Sequence, residues 1–113
     1  LIIDAWLAGL IQVYVSDALA YEYADVLSRK LSPEKWERAK PTLSTLLHIA
    51  KFALVHYSWR PASPDPGDDL VIDCAMNSNA AIITSNVKDF RKARQELGVV
   101  VMTPLELVAL LAD

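Results

Sequence analysis

The sequence predicts an α/β fold, a three-layer α/β/α arrangement whose parallel sheet is covered on both faces by helices. Three observations predict it. Residues 80–83 and 99–102 are short, wholly apolar runs, the pattern of strands buried on both faces. A cap residue followed by proline opens a helix at Ser32-Pro33, Asp65-Pro66 and Thr103-Pro104. Strand and helix patterns alternate along the chain, which is how parallel strands are connected.

The elements follow in order. Residues 1–8 place apolar side chains at helical spacing, and Gly9 is a natural stop. Residues 10–15 read as a strand, and Ser16 or Asp17 caps a helix reaching Lys30. The apolar stripe of that helix is Leu19, Tyr23, Val26 and Leu27, with Glu22 beside it. A helix from Ser32 is expected to end near Pro41, which separates it from a second helical segment over 42–51 bearing Leu43, Leu46, Leu47 and Ala50 on one face. Residues 52–57 read as a strand, and 59–67, with three prolines, as the longest loop. A helix from Asp65 runs to about Ser78, then comes the strand at 80–83 and a polar loop at 84–90. A short helix over 91–97 stops at Gly98. The last strand follows, then a final helix with Leu105, Val108 and Leu111 facing inward.

A chain of 113 residues suits one domain, 1–113. With 53% hydrophobic and 22% charged residues it belongs to the globular class, not the disordered one. A net charge of −3 argues against a broadly basic nucleic-acid surface. It leaves room for acids gathered around a cation. The single Cys74 cannot form an internal disulfide, which points to a reducing, cytoplasmic setting. No apolar run has the length of a membrane span, and the opening Leu-Ile-Ile-Asp-Ala-Trp is too short for a signal peptide.

The residues with chemistry gather around 65–90. Asp65 is a helix N-cap, and Asp68 and Asp69 lie in the first turn, where acids gain from the helix dipole. Asn86 and Asp89 lie in the polar loop after a strand, the edge at which open α/β sheets bind ligands. Each has a bland reading as well: caps for Asp65 and Asp68, a turn for Asn86 and Asp89, and a solvated face for Asp69 and Asp73, spaced i, i+4. Lys88, Arg91, Lys92 and Arg94 are either phosphate contacts or a solvated helix face. Trp36 and Trp59 suit base stacking or, more simply, packing. His48 and His56 have no metal-ligand spacing, and Cys74 reads as core. No glycine-rich phosphate loop or nucleophile elbow is present.

Asp65-Pro-Gly-Asp-Asp leading into a helix with Ala75, then Ile82-Ile-Thr-Ser-Asn-Val-Lys-Asp-Phe, resembles the PIN domain family, the metal-dependent nucleases that include VapC-type toxins. The resemblance continues through Gly98-Val-Val-Val-Met-Thr-Pro-Leu-Glu, and upstream in Val15-Ser-Asp-Ala-Leu-Ala-Tyr-Glu. It covers nearly the whole chain. The family opens with a strand ending in Asp, to which nothing before Leu1 corresponds. The expected fold is therefore PIN-like with its central first strand absent, the bordering strands left to a shifted pairing, a partner chain or a further segment.

The resemblance implies a Mg²⁺- or Mn²⁺-dependent endoribonuclease, a toxin of a toxin–antitoxin pair that hydrolyses single-stranded RNA. It implies catalytic roles for Glu22, Asp68 and Asp89, and metal ligands among Glu22, Asp68, Asp69, Asn86 and Asp89. Thr84 would orient the site, and Lys88 and Arg91 would contact RNA. A homodimer and a small protein antitoxin are the implied partners. Asn86 stands where many members carry Asp, which removes a charge from the site. The alternative is a catalytically impaired PIN-like protein-binding module.

Overall fold

A computed structural model describes residues 2–58 and 65–112 of the chain. Among these residues six helices and four short strands follow in the order α1 (Ile2–Leu7), β1 (Tyr14–Val15), α2 (Asp17–Lys30), α3 (Pro33–Ile49), β2 (Lys51–Phe52), α4 (Pro66–Ser78), β3 (Ile82–Ile83), α5 (Arg91–Leu97), β4 (Val101–Met102) and α6 (Pro104–Ala112). A 3-10 turn at Val87–Phe90 precedes α5. The α/β class and the parallel pairing are those the alternation predicts. The described strands do not form one sheet, however. They form two parallel pairs, β1 with β2 and β3 with β4. The facing edges of β1 and β3 are not paired with each other, so a shifted pairing has not closed the gap.

Helix α4 is the hub, packing against α2, β1 and β3. Its start is fixed locally: the Asp65 carboxylate accepts from Gly67 N–H at 2.8 Å, and Pro66 takes the first turn, where no donor is needed. Its end is Asn79, in the left-handed conformation at φ 54°. Asn tolerates that region better than most residues. Ile72 and Ala75 of α4 pack with Ile82, Phe90, Ala93, Val99 and Val101 in one buried cluster. Ala5, Val15, Leu19 and Leu46 are the buried apolar residues of α1, β1, α2 and α3. Cys74 is core, as its size suggests.

Several expectations need correction. Pro41 does not divide two helices, because α3 runs through it without a break. A proline removes one backbone donor and crowds the preceding turn, but the flanking turns and the buried Leu46 hold the helix together. Pro41→Ala should therefore restore a hydrogen bond and raise stability by about 2 kcal/mol, net of the freer unfolded chain. Urea denaturation checks this, and an unchanged midpoint would count against it.

The strands are shorter than their apolar runs. Beyond Ala53, whose N–H donates to Val15 O at 2.7 Å, the chain of the expected 52–57 strand leaves the ladder. Asn77 takes that place instead: its Oδ1 accepts from His56 N–H at 3.0 Å and Tyr57 N–H at 3.2 Å, and its Nδ2 donates to Tyr57 O at 2.9 Å. In α6 the buried residue is Leu107, whereas Leu105 is 79% and Leu111 is 41% exposed. That helix is apolar on nearly every side, so its pattern carried no phase. A capping box fixes its start, with Glu106 N–H donating to Thr103 Oγ1 and Thr103 N–H to Glu106 Oε1, both at 3.1 Å. Asp69 and Asp73 are buried rather than solvated. Most of the 59–67 loop, including Trp59, lies outside the described residues.

Candidate acidic site at the start of α4

Three chain segments bring carboxylates to the N-terminal end of α4. The helix start supplies Asp65, Asp68 and Asp69. Helix α2, packed against α4, supplies Glu22. The 3-10 turn after β3 supplies Asp89.

Gly67 shows how close two of these segments come. A Cβ at this position would lie 3.3 Å from Glu22 Oε1 and 3.3 Å from Asp65 Oδ1. A side chain at this position would crowd the Glu22 carboxylate, which lies over the start of α4. Asp68 shows the other side of the cluster. Burial, and then the carboxylates of Asp65, Asp89 and Asp69, raise its pKa above the ordinary aspartate value. The acids at 65, 68, 69 and 89 therefore share one field, although 89 is far from the others in sequence.

The sign for stability follows. An acid with a raised folded-state pKa favours the folded state while protonated. That contribution is complete below the unfolded pKa and is lost as pH rises through the folded one. At neutral pH, without a bound cation, the Asp68 charge therefore disfavours folding. Asp68→Asn should raise the melting temperature at pH 7, and the gain should vanish in acid below the ordinary aspartate pKa. A variant that melts below the parent protein at pH 7 would contradict the assignment.

The other expected residues are placed less centrally. Thr84 Oγ1 accepts from Asn86 N–H at 3.0 Å, so its hydroxyl shapes the loop after β3. Asn86 is exposed, precedes the 3-10 turn, and makes no side-chain capping bond there. Its carbonyl accepts from Asp89 N–H at 3.0 Å, which sets the backbone at Asp89. Asp69 is 6% exposed and so points inward. Asp73, one turn further along, is 3% exposed and accepts from Ser58 Oγ at 3.3 Å. Lys88, Arg91, Lys92 and Arg94 are exposed beside Asp89. Trp36 is half-buried with Lys40 Nζ 5.8 Å from its ring centre, a packing role. His48 is exposed on α3.

Sequence reasoning took Asp65 as a cap alone. The structure keeps that role and also sets its carboxylate beside the Glu22 approach. The signal was present in the three acids within Asp65-Pro-Gly-Asp-Asp, but a cap explains the first of them completely.

The donors are oxygen atoms of carboxylates, the set that hard divalent cations take. A carboxyl whose pKa is raised by burial and then by three other carboxylates would be eased by a bound cation. By donor type and charge, though not by their spacing, these residues suit Mg²⁺ or Mn²⁺. Among the described residues, no three His, Cys, Asp or Glu side chains are grouped closely enough to hold a metal ion. No described helix is long and apolar enough to cross a membrane.

Comparison with known proteins adds one match. A family model for the PIN domain covers residues 1–88, which include β1, α2, α4 and β3. No curated protein matches the chain, and no solved structure does. The match takes in Glu22, Asp68 and the loop after β3 as far as Lys88, one residue short of Asp89, and on it this chain belongs to the PIN domain family.

Proposed function

We propose that this chain is a divalent-metal-dependent endoribonuclease acting on single-stranded RNA. The observation that carries the reading is the placing of carboxylates from separate segments around the start of α4, where Glu22 Oε1 approaches Gly67 and where burial, and after it Asp65, Asp89 and Asp69, raise the Asp68 pKa. Membership of a nuclease-type family supports it. Glu22, Asp68 and Asp89 would hold the cation, with Asn86 and Asp69 as further oxygen donors. When bound, Mg²⁺ or Mn²⁺ polarises a phosphoryl group and lowers the pKa of a water.

The chain's own residues do the rest. Asp68 begins α4, so its position is fixed by the Asp65 cap and by the packing of Ile72. Gly67 leaves room for Glu22. Thr84 and the Asn86 carbonyl hold the turn that presents Asp89. Lys88 and Arg91, exposed on either side of Asp89, are suited to phosphates flanking the scissile bond. The VapC-type likeness extends the proposal to a cytoplasmic toxin that forms a homodimer and is covered by a small protein antitoxin. Exposed Phe52, Leu54, Val55 and Tyr57 supply an apolar surface for such contacts.

The test is cleavage of a labelled single-stranded RNA with Mn²⁺ and with EDTA. Cleavage that needs Mn²⁺ supports the reading. A folded sample that leaves the RNA intact moves the weight to a second reading, a PIN-like module acting through protein contacts. The lack of a three-donor group among the described residues favours that second reading.

A further inference from the structure

The outer edge of β2, on the side away from β1, is an unpaired strand edge. Lys51 and Ala53 turn their peptide groups to β1: Lys51 N–H donates to Val13 O at 2.9 Å and Ala53 N–H to Val15 O at 2.7 Å. Peptide groups of alternate strand residues point to opposite sides, so Phe52 and Leu54 turn theirs outward. Among the described residues β2 pairs with β1 alone. Natural edges of this kind usually carry a charge or a proline that discourages added strands. Residues 52–57, Phe-Ala-Leu-Val-His-Tyr, hold no proline and no permanent charge. Phe52 is 49% and Leu54 75% exposed, and at i and i+2 they share one face. Lys51 heads the strip, exposed and without an ion pair among the described residues. Asn77 fixes the other end by its bonds to His56 and Tyr57.

We propose that this edge takes an added strand from a partner protein, an extended apolar segment closed at its C-terminal end by an acidic residue. The segment runs antiparallel to β2, the commoner and slightly stronger pairing. Its peptide groups meet those of Phe52 and Leu54, its side chains cover theirs, and its acid lies opposite Lys51. Area selects this occupant over a second folded copy. Aromatic side chains bury about 150–250 Å² each, so the exposed parts of Phe52, Leu54, Val55 and Tyr57 together offer on the order of 400 Å². A stable interface takes about 800 Å² from each partner. A strand of about five residues needs no more than the strip offers, because main-chain bonds supply much of the affinity. The inference stands on the strand edge and not on the acidic end of α4, so a failure to cleave RNA leaves it intact.

The experiment adds to the protein a synthetic peptide with a Val/Leu core of about five residues followed by glutamates, and follows amide hydrogen exchange by NMR. Binding should slow exchange at Phe52 and Leu54 together by about tenfold or more. A peptide with proline at the core centre should lose this protection, because it cannot donate there. Leu54→Lys puts a charge on the edge and should abolish binding, while the melting temperature stays unchanged because the side chain is exposed. Lys51→Glu should reverse the preference, so that a peptide ending in lysines binds better than one ending in glutamates. The proposal is overturned by no binding, by equal binding of the proline peptide, by unchanged binding to Leu54→Lys, or by an unchanged tail preference in Lys51→Glu. Protection at Tyr14 and Ile83 in place of Phe52 and Leu54 also overturns it, since the peptide would then lie between β1 and β3. So does concentration-dependent protection at Phe52 and Leu54 in the free protein, which would make a second copy the occupant.

Discussion

Glu22→Gln is expected to reduce Mn²⁺-dependent RNA cleavage by about 100-fold or more, with the fold retained. Loss of a group that merely supports a metal ligand costs about 10- to 100-fold, and removing a ligand's charge should cost at least as much. The substitution keeps the shape of the side chain and removes only its charge. Glu22 Oε1 lies against the start of α4, 3.3 Å from where a Gly67 Cβ would be, with Asp65 Oδ1 at the same distance. Gln fits the same space, and one fewer negative charge beside Asp65 does not oppose folding. Single-turnover cleavage with saturating Mn²⁺, beside far-UV circular dichroism of the same sample, separates chemistry from folding. A folded Gln variant that cleaves at the parental rate would remove Glu22 from the site and with it the present reading of the acidic cluster.

Ile72→Ala should have the largest effect on stability, about 2–5 kcal/mol. Ile72 is 0% exposed, on the helix that packs against α2, β1 and β3. Its neighbours come from α4, β3, the 3-10 turn, α5 and β4, so the cavity left by truncation cannot collapse by moving one element. In a domain this small, each kcal/mol shifts the melting temperature by about 4–8 °C, so a fall of about 10 °C or more is expected. Val100→Ala is the control. Val100 is 56% exposed, and its truncation should move stability by less than about 0.5 kcal/mol. Equal losses in the two variants would mean that α4 is not the hub. Because α4 also begins the acidic site, Ile72→Ala should lose activity in proportion to the unfolded fraction, unlike Glu22→Gln, which should lose it while folded.

Much of this was legible in the chain itself. Ser16, Ser32 and Asp65 cap α2, α3 and α4 through their own side chains, and Gly98 ends α5 in the left-handed conformation at φ 72°. Caps and stops act within a few residues, so the local sequence is enough to place them. The acids of the site were readable for the same reason, since Asp65-Pro-Gly-Asp-Asp is both a cap and a concentration of charge.

What the sequence by itself determined, then, was the α/β class, most of the element order and the choice of candidate acids. Tertiary structure alone decided the rest. Strand length depended on how far a neighbour runs alongside, so the apolar run leaves the ladder after Ala53, and His56 and Tyr57 are held by Asn77 instead. Burial of Asp69 and Asp73 depended on which side of α4 meets the other elements, and the uniformly apolar α6 turned Leu107 inward for the same reason. The nearness of Glu22 to Gly67, and of Asp89 to Asp68, arises from packing between segments far apart in the chain. The opening between β1 and β3 arises likewise, because pairing along a strand edge depends on a second strand at hydrogen-bonding distance, which no local pattern specifies.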